Sequence, residues 1–129
     1  MTLPPARAIL YLEDNRILRE MVREVLEFAG WYVKELDSSV YTLATLEVTQ
    51  QHFDVLLFDY EIRGLDGLEL TRRVRRIPHR KETPIIVLSI TDVTAEARAA
   101  GANAFLRKPY NLIDLVETIR RLLPAPAGS

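Results

Sequence analysis

The sequence contains no cysteine, and this absence excludes disulfide bonds, thiolate catalysis and zinc sites built on cysteine. The net charge is only −1 at pH 7, so the chain as a whole has no electrostatic attraction to nucleic acid or to anionic membranes. No apolar run approaches the ~20 residues that a membrane-spanning helix needs. The first residues also lack the apolar stretch of a signal peptide. We therefore expect a cytoplasmic protein without membrane association.

The apolar residues that are present fall into five short runs, separated by segments with the three- and four-residue spacing of helices. The predicted strands cover residues 8–12, 31–36, 55–58, 84–89 and 104–106. Strands that alternate with helices predict an α/β fold, namely a doubly wound, five-stranded parallel sheet with helices on both faces. We expect one domain at 8–123, after a flexible lead-in at 1–7 and before a disordered tail at 124–129.

The predicted helices have starting signals and buried stripes that the sequence indicates directly. Residues with good N-cap side chains precede three of them, namely Asn15, Ser38 or Ser39, and Asn111. The apolar spacing places Met21 of the first helix, Val40 of the second and Ile77 of the third toward the core. The fourth helix, at 94–100, is predicted to have only about two turns.

Five residues with reactive or metal-binding side chains stand at or just beyond the predicted carboxyl ends of strands: Glu13, Asp14, Asp59, Ser89 and Lys108. Strand ends of this kind form one edge of a doubly wound sheet, where ligand crevices are found, so we expect these side chains to meet. Aspartate often starts turns, and for Asp59 alone a capping role would be an equal alternative. Capping does not explain the whole set.

Clustered carboxylates repel one another, and a hard divalent cation with oxygen ligands would relieve the repulsion, which favours Mg²⁺. No histidine is predicted at this edge, so zinc is disfavoured. A carboxylate oxygen that stays free of the metal can attack an electrophile, as in aspartyl-phosphate formation. Lys108 and Ser89 would then bind phosphoryl oxygens, one by charge and one by a hydrogen bond. The set fits phosphoryl transfer to a carboxylate.

The sequence resembles the receiver domain of two-component response regulators, which has a flavodoxin-like fold, over nearly its whole length. The resemblance rests on five segments in order: ILYLEDN at 9–15, DVLLFD at 54–59, GLDG at 64–67, PIIVLS at 84–89 and GANAFLRKP at 101–109. It implies that Asp59 is the phosphoacceptor. It also implies that Asp14 binds Mg²⁺ directly, Glu13 mostly through water, and Glu61 through its main-chain carbonyl.

The resemblance further implies a switching mechanism. Ser89 would be the switch hydroxyl, Phe105 the aromatic rotamer switch and Lys108 the lysine that pairs with the phosphate, after which a cis bond to Pro109 is expected. The implied partners are a histidine kinase or histidine phosphotransfer protein and a downstream protein target. Such a domain is a signalling module and not an enzyme. We expect no helix-turn-helix module after the last helix, and therefore no direct nucleic-acid binding.

The sequence departs from the family pattern at three places. Ile90 follows the switch hydroxyl where Ala or Gly is usual, and Arg63 stands where Pro is usual. The segment from Ser89 to Lys108 is about three residues short, roughly one helical turn. With so short a fourth helix, we expect a monomer or a weak dimer. Ile90 could slow access to Asp59, or it could turn into the core and change nothing.

Two other functions remain as alternatives. A pseudo-receiver would keep the fold as an interaction module with impaired phosphorylation, and Ile90 is its best support. A haloacid-dehalogenase-type phosphatase also uses an aspartyl phosphate, but that family places its Asp-x-Asp motif after the first strand. Single residues have simpler interpretations as well. Lys108 could be a surface lysine, and Phe105 could belong to the core only.

A basic group in the middle of the chain consists of Arg72, Arg73, Arg75, Arg76, Arg80 and Lys81. It invites a nucleic-acid hypothesis, but there are no aromatic residues among these cations to stack on bases. A solvated helix face, with cations near the helix C-terminus, is the favoured interpretation.

Overall fold

The computed structural model describes residues 6–123. The strands are β1 (Ala8–Leu12), β2 (Tyr32–Leu36), β3 (Val55–Asp59), β4 (Ile85–Ser89) and β5 (Ala104–Arg107). They form one parallel sheet in the order β2-β1-β3-β4-β5, which confirms the predicted five-stranded architecture. Most of the expected lead-in, at 1–5, and the whole expected tail, at 124–129, lie outside the described residues.

The strands are connected by α-helices and one short 3₁₀ helix. These are α1 (Arg16–Phe28), α2 (Ser39–Val48), α3 (Gly67–Val74), the 3₁₀ helix Pro78–Arg80, α4 (Thr94–Ala100) and α5 (Leu112–Leu122). Helices α1 and α5 pack on one face of the sheet, and α2, α3 and α4 pack on the other. Between residues 6 and 123, no helix is long and apolar enough to cross a bilayer.

Strand β3 shows how the sheet separates the two helical layers. Leu57 belongs to the apolar cluster under α1 and α5, which also contains Val22 and Leu115. Its neighbour Phe58 belongs to the cluster on the other face, together with Leu70 of α3. Successive side chains of a strand point to opposite faces, and every residue of β3 and β4 is buried. Burial on both faces explains why these strands are continuous apolar runs in the sequence.

Three predicted helix starts are confirmed. The side chains of Asn15, Ser38 and Asn111 accept hydrogen bonds from backbone N–H groups in the first turns of α1, α2 and α5. Each bond satisfies an amide that the start of a helix leaves without a partner. Helix α4 has seven residues, which confirms the prediction of about two turns. Gly101 follows it with a φ of 109°, a left-handed conformation that favours glycine.

Two predicted core positions are wrong. Met21 is 46% exposed and Val40 is 59% exposed. The inward stripe of α1 is narrower than predicted, because its fully buried side chains lie four residues apart on one line. In α2 the polar residues Ser39 and Thr42 are buried instead. Their hydroxyl groups donate to main-chain carbonyls, which removes most of the cost of burying them.

Helix α3 ends earlier than the apolar spacing predicts. It closes at Val74, and Ile77 is the residue that precedes the 3₁₀ helix Pro78–Arg80. Ile77 is nevertheless buried, so its predicted core position is correct while its predicted helical conformation is not. Proline suits the first position of a helix because its missing N–H would have no partner there.

Candidate functional site

The sheet brings the predicted site residues to its carboxyl edge. Glu13 and Asp14 follow β1, Asp59 and Ser89 end β3 and β4, and Lys108 follows β5. Strands β1, β3 and β4 are neighbours in the sheet, so their carboxyl ends adjoin one another. Most of these side chains are shielded from water, whereas Asp14 is exposed. The edge therefore combines buried acids with one acid that faces solvent.

Lys108 contacts two of the acids at once. Its Nζ donates to Oε1 of Glu13 at 2.9 Å and to Oδ1 of Asp59 at 3.0 Å. Its backbone N–H donates to the carbonyl of Ser89 at 2.7 Å, which ties the loop to the end of β4. The bond between Lys108 and Pro109 is cis, as predicted. Because the lysine side chain is only 14% exposed, it is not a free surface lysine.

Burial and the neighbouring charge of Glu13 raise the pKa of Asp59 to about 7, although the ammonium of Lys108 opposes this change. Burial alone would lower the pKa of Lys108, but its hydrogen bonds to Glu13 and Asp59 outweigh burial and raise it. The ammonium is therefore charged at neutral pH. The cluster has three carboxylates, whereas Lys108 contacts only Glu13 and Asp59, so an added cation would favour the ionised form of Asp59.

The acids are close enough to bind one metal ion. Glu13, Asp14 and Asp59 each offer a carboxylate oxygen, and these oxygens lie within 4.8 Å of one another. A set of oxygen donors suits Mg²⁺, which prefers few protein ligands and keeps several waters. The exposure of Asp14 leaves room for such waters. The residues present therefore fit a hydrated divalent cation.

The loop after β3 keeps α3 close to the acids. A Cβ atom on Gly67 would lie 2.7 Å from the carbonyl oxygen of Asp59 and 2.9 Å from the Cα of Tyr60, both of which are backbone atoms. Only glycine therefore allows this approach. Asp66 begins the helix by accepting hydrogen bonds from the N–H groups of Leu68 and Glu69. The Leu-Asp-Gly sequence positions the helix next to the site.

The hydroxyl of Ser89 is bound to a carboxylate that the sequence did not indicate. It donates to Oε2 of Glu61 at 2.6 Å, and the N–H of Ile90 donates to Oε1 of the same side chain at 3.2 Å. Glu61 was predicted to act only through its main-chain carbonyl. Its two-residue distance from Asp59 in the chain was the only signal that could have drawn attention to its side chain.

The other predicted switch residue lies on the side of the sheet where α3 and α4 pack, and the unusual isoleucine lies on the loop after β4. Phe105 is partly buried in the edge strand β5 and packs against the apolar cluster that contains α3 and α4. This position is compatible with both a switching role and a core role. Ile90 is 60% exposed, so it does not turn into the core beneath the loop.

The interpretation of the basic group as one solvated face is wrong for two of its members. Arg75 donates to three main-chain carbonyls and to the side chain of Asn103, and it thereby links α3 to the start of β5. Arg80 is buried, and its guanidinium donates to main-chain carbonyls at the end of α2. These two cations stabilise the fold.

A buried tyrosine near the acids was also missed. The hydroxyl of Tyr11 is fully buried, and its pKa is raised by burial first and then by its neighbours Tyr110 and Glu13. The sequence offered one signal, a tyrosine within the otherwise aliphatic run of β1. Tyr11 remains a neutral hydroxyl next to the charged site.

A parallel sheet with acids and a lysine at its carboxyl edge is the arrangement of a two-component signalling receiver, and the comparisons with known proteins agree. The family model for the response regulator receiver domain matches residues 9–120. The Response regulator MprA of Mycobacterium leprae (strain TN) is 36% identical over 118 residues, which cover 89% of this chain and 50% of that protein. The chain therefore belongs to the response regulator receiver domain family.

Solved structures give the same result. The chemotaxis response regulator CheY4 of Vibrio cholerae superposes with a TM-score of 0.84 at 30% identity, covering 92% of this chain and 100% of that one. The receiver domain of sensor histidine kinase PA1611 from Pseudomonas aeruginosa PAO1, with a magnesium ion coordinated in its active-site cleft, gives 0.82 at 26% identity, covering 92% and 98%. The chain spans about half the length of the curated relatives that it matches.

Proposed function

We propose that Asp59 accepts a phosphoryl group from a histidine kinase or a histidine phosphotransfer protein, in a reaction that depends on Mg²⁺. The observation that supports this most strongly is the ammonium of Lys108, which lies 3.0 Å from the Asp59 carboxylate. It marks the place where the negative charge of a transferred group would be neutralised. The family membership supports a signalling role rather than steady enzymatic turnover.

In the proposed step, an Asp59 oxygen bonds to phosphorus while the bond from phosphorus to the donor's imidazole nitrogen breaks. The electron pair of the broken bond stays on that nitrogen. Lys108 would hold the phosphoryl oxygens during transfer, because catalysis of phosphoryl transfer consists mostly of positioning and charge stabilisation. Ser89 would bind one of these oxygens afterwards.

Glu13, Asp14 and Asp59, with the main-chain carbonyl of Glu61, would hold Mg²⁺. When bound, the ion supplies positive charge that offsets the charge of the acids and of the phosphoryl group. A structural relative, the PA1611 receiver domain, has a magnesium ion coordinated in its active-site cleft, which supports Mg²⁺ as the cation. We also propose that phosphorylation changes Ser89 and Phe105 and thereby alters a surface for a downstream protein.

The remaining parts of the proposal concern the partners and the setting of the protein. We place it in the cytoplasm. We also propose that it is a monomer or a weak dimer, because the seven residues of α4 offer little surface for dimerisation. The basic residues Arg75 and Arg80 are used within the fold, which removes them from a nucleic-acid surface. Direct nucleic-acid binding is therefore not part of the proposed function.

The test is incubation with acetyl phosphate and Mg²⁺, followed by intact mass measurement. The expected result is the stoichiometric addition of one phosphoryl group, and none when a chelator removes the metal. Repeated turnover of a phosphomonoester would instead indicate the phosphatase alternative. A protein that binds Mg²⁺ but never gains mass would be a pseudo-receiver.

Metal binding can be measured separately from phosphorylation. A ligand that binds only the folded state stabilises it, by about 2.7 kcal/mol at a hundred times its dissociation constant. We expect Mg²⁺ to raise the melting temperature of the wild-type protein and Asp14→Asn to abolish most of this increase. Asp37→Asn is the matched control, because Asp37 is an exposed acid that follows β2 at the same edge. An Mg²⁺ effect that persists in Asp14→Asn would contradict the ligand assignment.

Ile90 is expected to slow both the formation and the loss of the phosphorylated state. Its β-branched side chain is stiff, and it is exposed on the loop after β4 rather than packed in the core. A tenfold slowing needs only about 1.4 kcal/mol of added barrier. In Ile90→Ala, the rates of labelling by acetyl phosphate and of subsequent label loss should both rise. Unchanged rates would show that Ile90 does not obstruct the site.

A further inference from the structure

The side chain of Glu61 connects the loop after β3 to the loop after β4. One of its carboxylate oxygens accepts the hydroxyl hydrogen of Ser89 at 2.6 Å, and the other accepts the N–H of Ile90 at 3.2 Å. The oxygen of Ser89 also accepts a hydrogen bond from the N–H of Thr91 at 2.9 Å. The hydroxyl of Ser89 is fully buried, so this arrangement is a built contact and not a chance surface contact.

The two donors that Glu61 occupies lie next to the proposed phosphorylation site. Strands β3 and β4 are paired, with Asp59 opposite Leu88, so the residue after Leu88 and the following N–H are close to the Asp59 end of the sheet. A phosphoryl group on Asp59 would need donors here for its oxygens. Ser89 has only one hydroxyl hydrogen and cannot donate it to Glu61 and to a phosphoryl oxygen at the same time.

We propose that Glu61 is an internal competitor of the phosphoryl group. In the unphosphorylated protein its carboxylate holds the donors of Ser89 and Ile90, and the phosphorylated state engages these donors only after Glu61 releases them. This inference rests on the proposed function, and it assigns Glu61 a role in regulating the same site. Hydrogen bonds to a carboxylate are strong, so the competition weakens binding of a phosphoryl group.

The size of the effect follows from the contact. A hydrogen bond to a charged group is stronger than one between neutral groups, so a competitor that holds such bonds changes an affinity by a factor of about ten or more. Removal of the Glu61 carboxylate should therefore tighten the binding of a phosphoryl mimic by about tenfold. It should also raise the fraction of protein that acetyl phosphate and Mg²⁺ hold in the phosphorylated state.

Simple repulsion between Glu61 and the phosphoryl group would predict a similar result for Glu61→Ala, so two further variants are needed. Glu61→Asp keeps the negative charge but is one methylene too short to hold both donors. Glu61→Gln keeps an acceptor at the same reach without the charge. Competition for donors predicts that the Asp variant behaves like the Ala variant and that the Gln variant lies between Ala and wild type.

The experiment measures the dissociation constant of beryllofluoride, a phosphoryl mimic, at saturating Mg²⁺ for the wild type and the three variants. Ser89→Ala is added in the wild-type and Glu61→Ala backgrounds. Loss of the hydroxyl should weaken binding more when Glu61 is absent, because the hydroxyl is then free to bind the mimic. A double-mutant cycle of this kind isolates the coupling between the two side chains.

The outcomes separate the two levels of the proposal. Tighter binding in both Ala and Asp variants, with coupling to Ser89, supports competition by Glu61. If the wild type binds the mimic and Glu61→Ala binds it equally or more weakly, the competitor role of Glu61 is overturned while the proposed function stands. Tighter binding in Gln and Ala but not in Asp would replace it with charge repulsion. If neither the wild type nor any variant binds the mimic or is labelled by acetyl phosphate, the proposed function itself fails, and the competitor role fails with it.

Discussion

Asp59→Asn should abolish phosphoryl uptake completely. The amide has nearly the shape of the carboxylate, but it lacks the anionic oxygen that would attack phosphorus. Lys108 would lose one of its two carboxylate partners and keep Glu13. The measurement is intact mass after incubation with acetyl phosphate and Mg²⁺. We expect no added phosphoryl group in the variant under conditions that label the wild type fully.

The loss should not arise from unfolding. Burial disfavours the charged form of Asp59, which is why its pKa is raised, so a neutral amide of equal size is tolerated there. The melting temperature of the variant without metal should therefore be no lower than that of the wild type. Asp37→Asn, at the same edge of the sheet, should be labelled like the wild type. Persistent labelling of Asp59→Asn would place the phosphoacceptor elsewhere.

The fold could be predicted because local signals and global architecture agree. Burial on both faces makes β3 and β4 continuous apolar runs, and a parallel sheet covered by helices on both faces produces such burial. The predictions failed where a polar side chain replaces an apolar one on the inward face. In α2, the buried hydroxyls of Ser39 and Thr42 satisfy nearby carbonyls, and no apolar periodicity records such contacts.

The sequence predicts those residues of the candidate site that stand at the carboxyl ends of strands. The positions of Asp59 and Lys108 follow from where β3 and β5 end, since parallel strands bring their carboxyl ends to one edge. The partner of Ser89 was not predictable. Glu61 is 28 residues away from Ser89 in the chain, and the choice between its carbonyl and its carboxylate depends on the path of the loop. Loop geometry is not encoded in periodicity.

Arg80 is the residue for which sequence and structure differ most. In the sequence it is one cation among several, whereas in the structure it is 2% exposed. Its guanidinium donates to the carbonyls of Leu46 at 3.3 Å, Gln51 at 2.7 Å and Thr49 at 2.9 Å. It also lies over the ring of Phe53, 5.5 Å from the centroid. The cation therefore closes the C-terminal end of α2, where a helix has carbonyls without partners.

Arg80→Met should lower the free energy of unfolding by about 2–4 kcal/mol, because an apolar side chain of similar length leaves buried carbonyls without donors. His79 limits the loss, since its Nε2 lies 3.1 Å from the carbonyl oxygens of Leu46 and Thr49. Gln51 has no such substitute among the described contacts. The measurement is urea unfolding followed by the fluorescence of Trp31, the single tryptophan.

Two further variants test how the guanidinium of Arg80 contributes to stability. Arg80→Lys keeps the charge but has no planar fork for three carbonyls, so it should lie between Arg80→Met and the wild type. Arg76→Met is the matched control, because Arg76 is exposed near the end of α3 and its loss should change stability by no more than about 0.5 kcal/mol. Equal stabilities of Arg80→Met and Arg76→Met would mean that the buried guanidinium contributes nothing beyond its packing. A deficit confined to Arg80 would show that one cation of the basic group stabilises the end of α2, on the side of the sheet where α3 and α4 also pack.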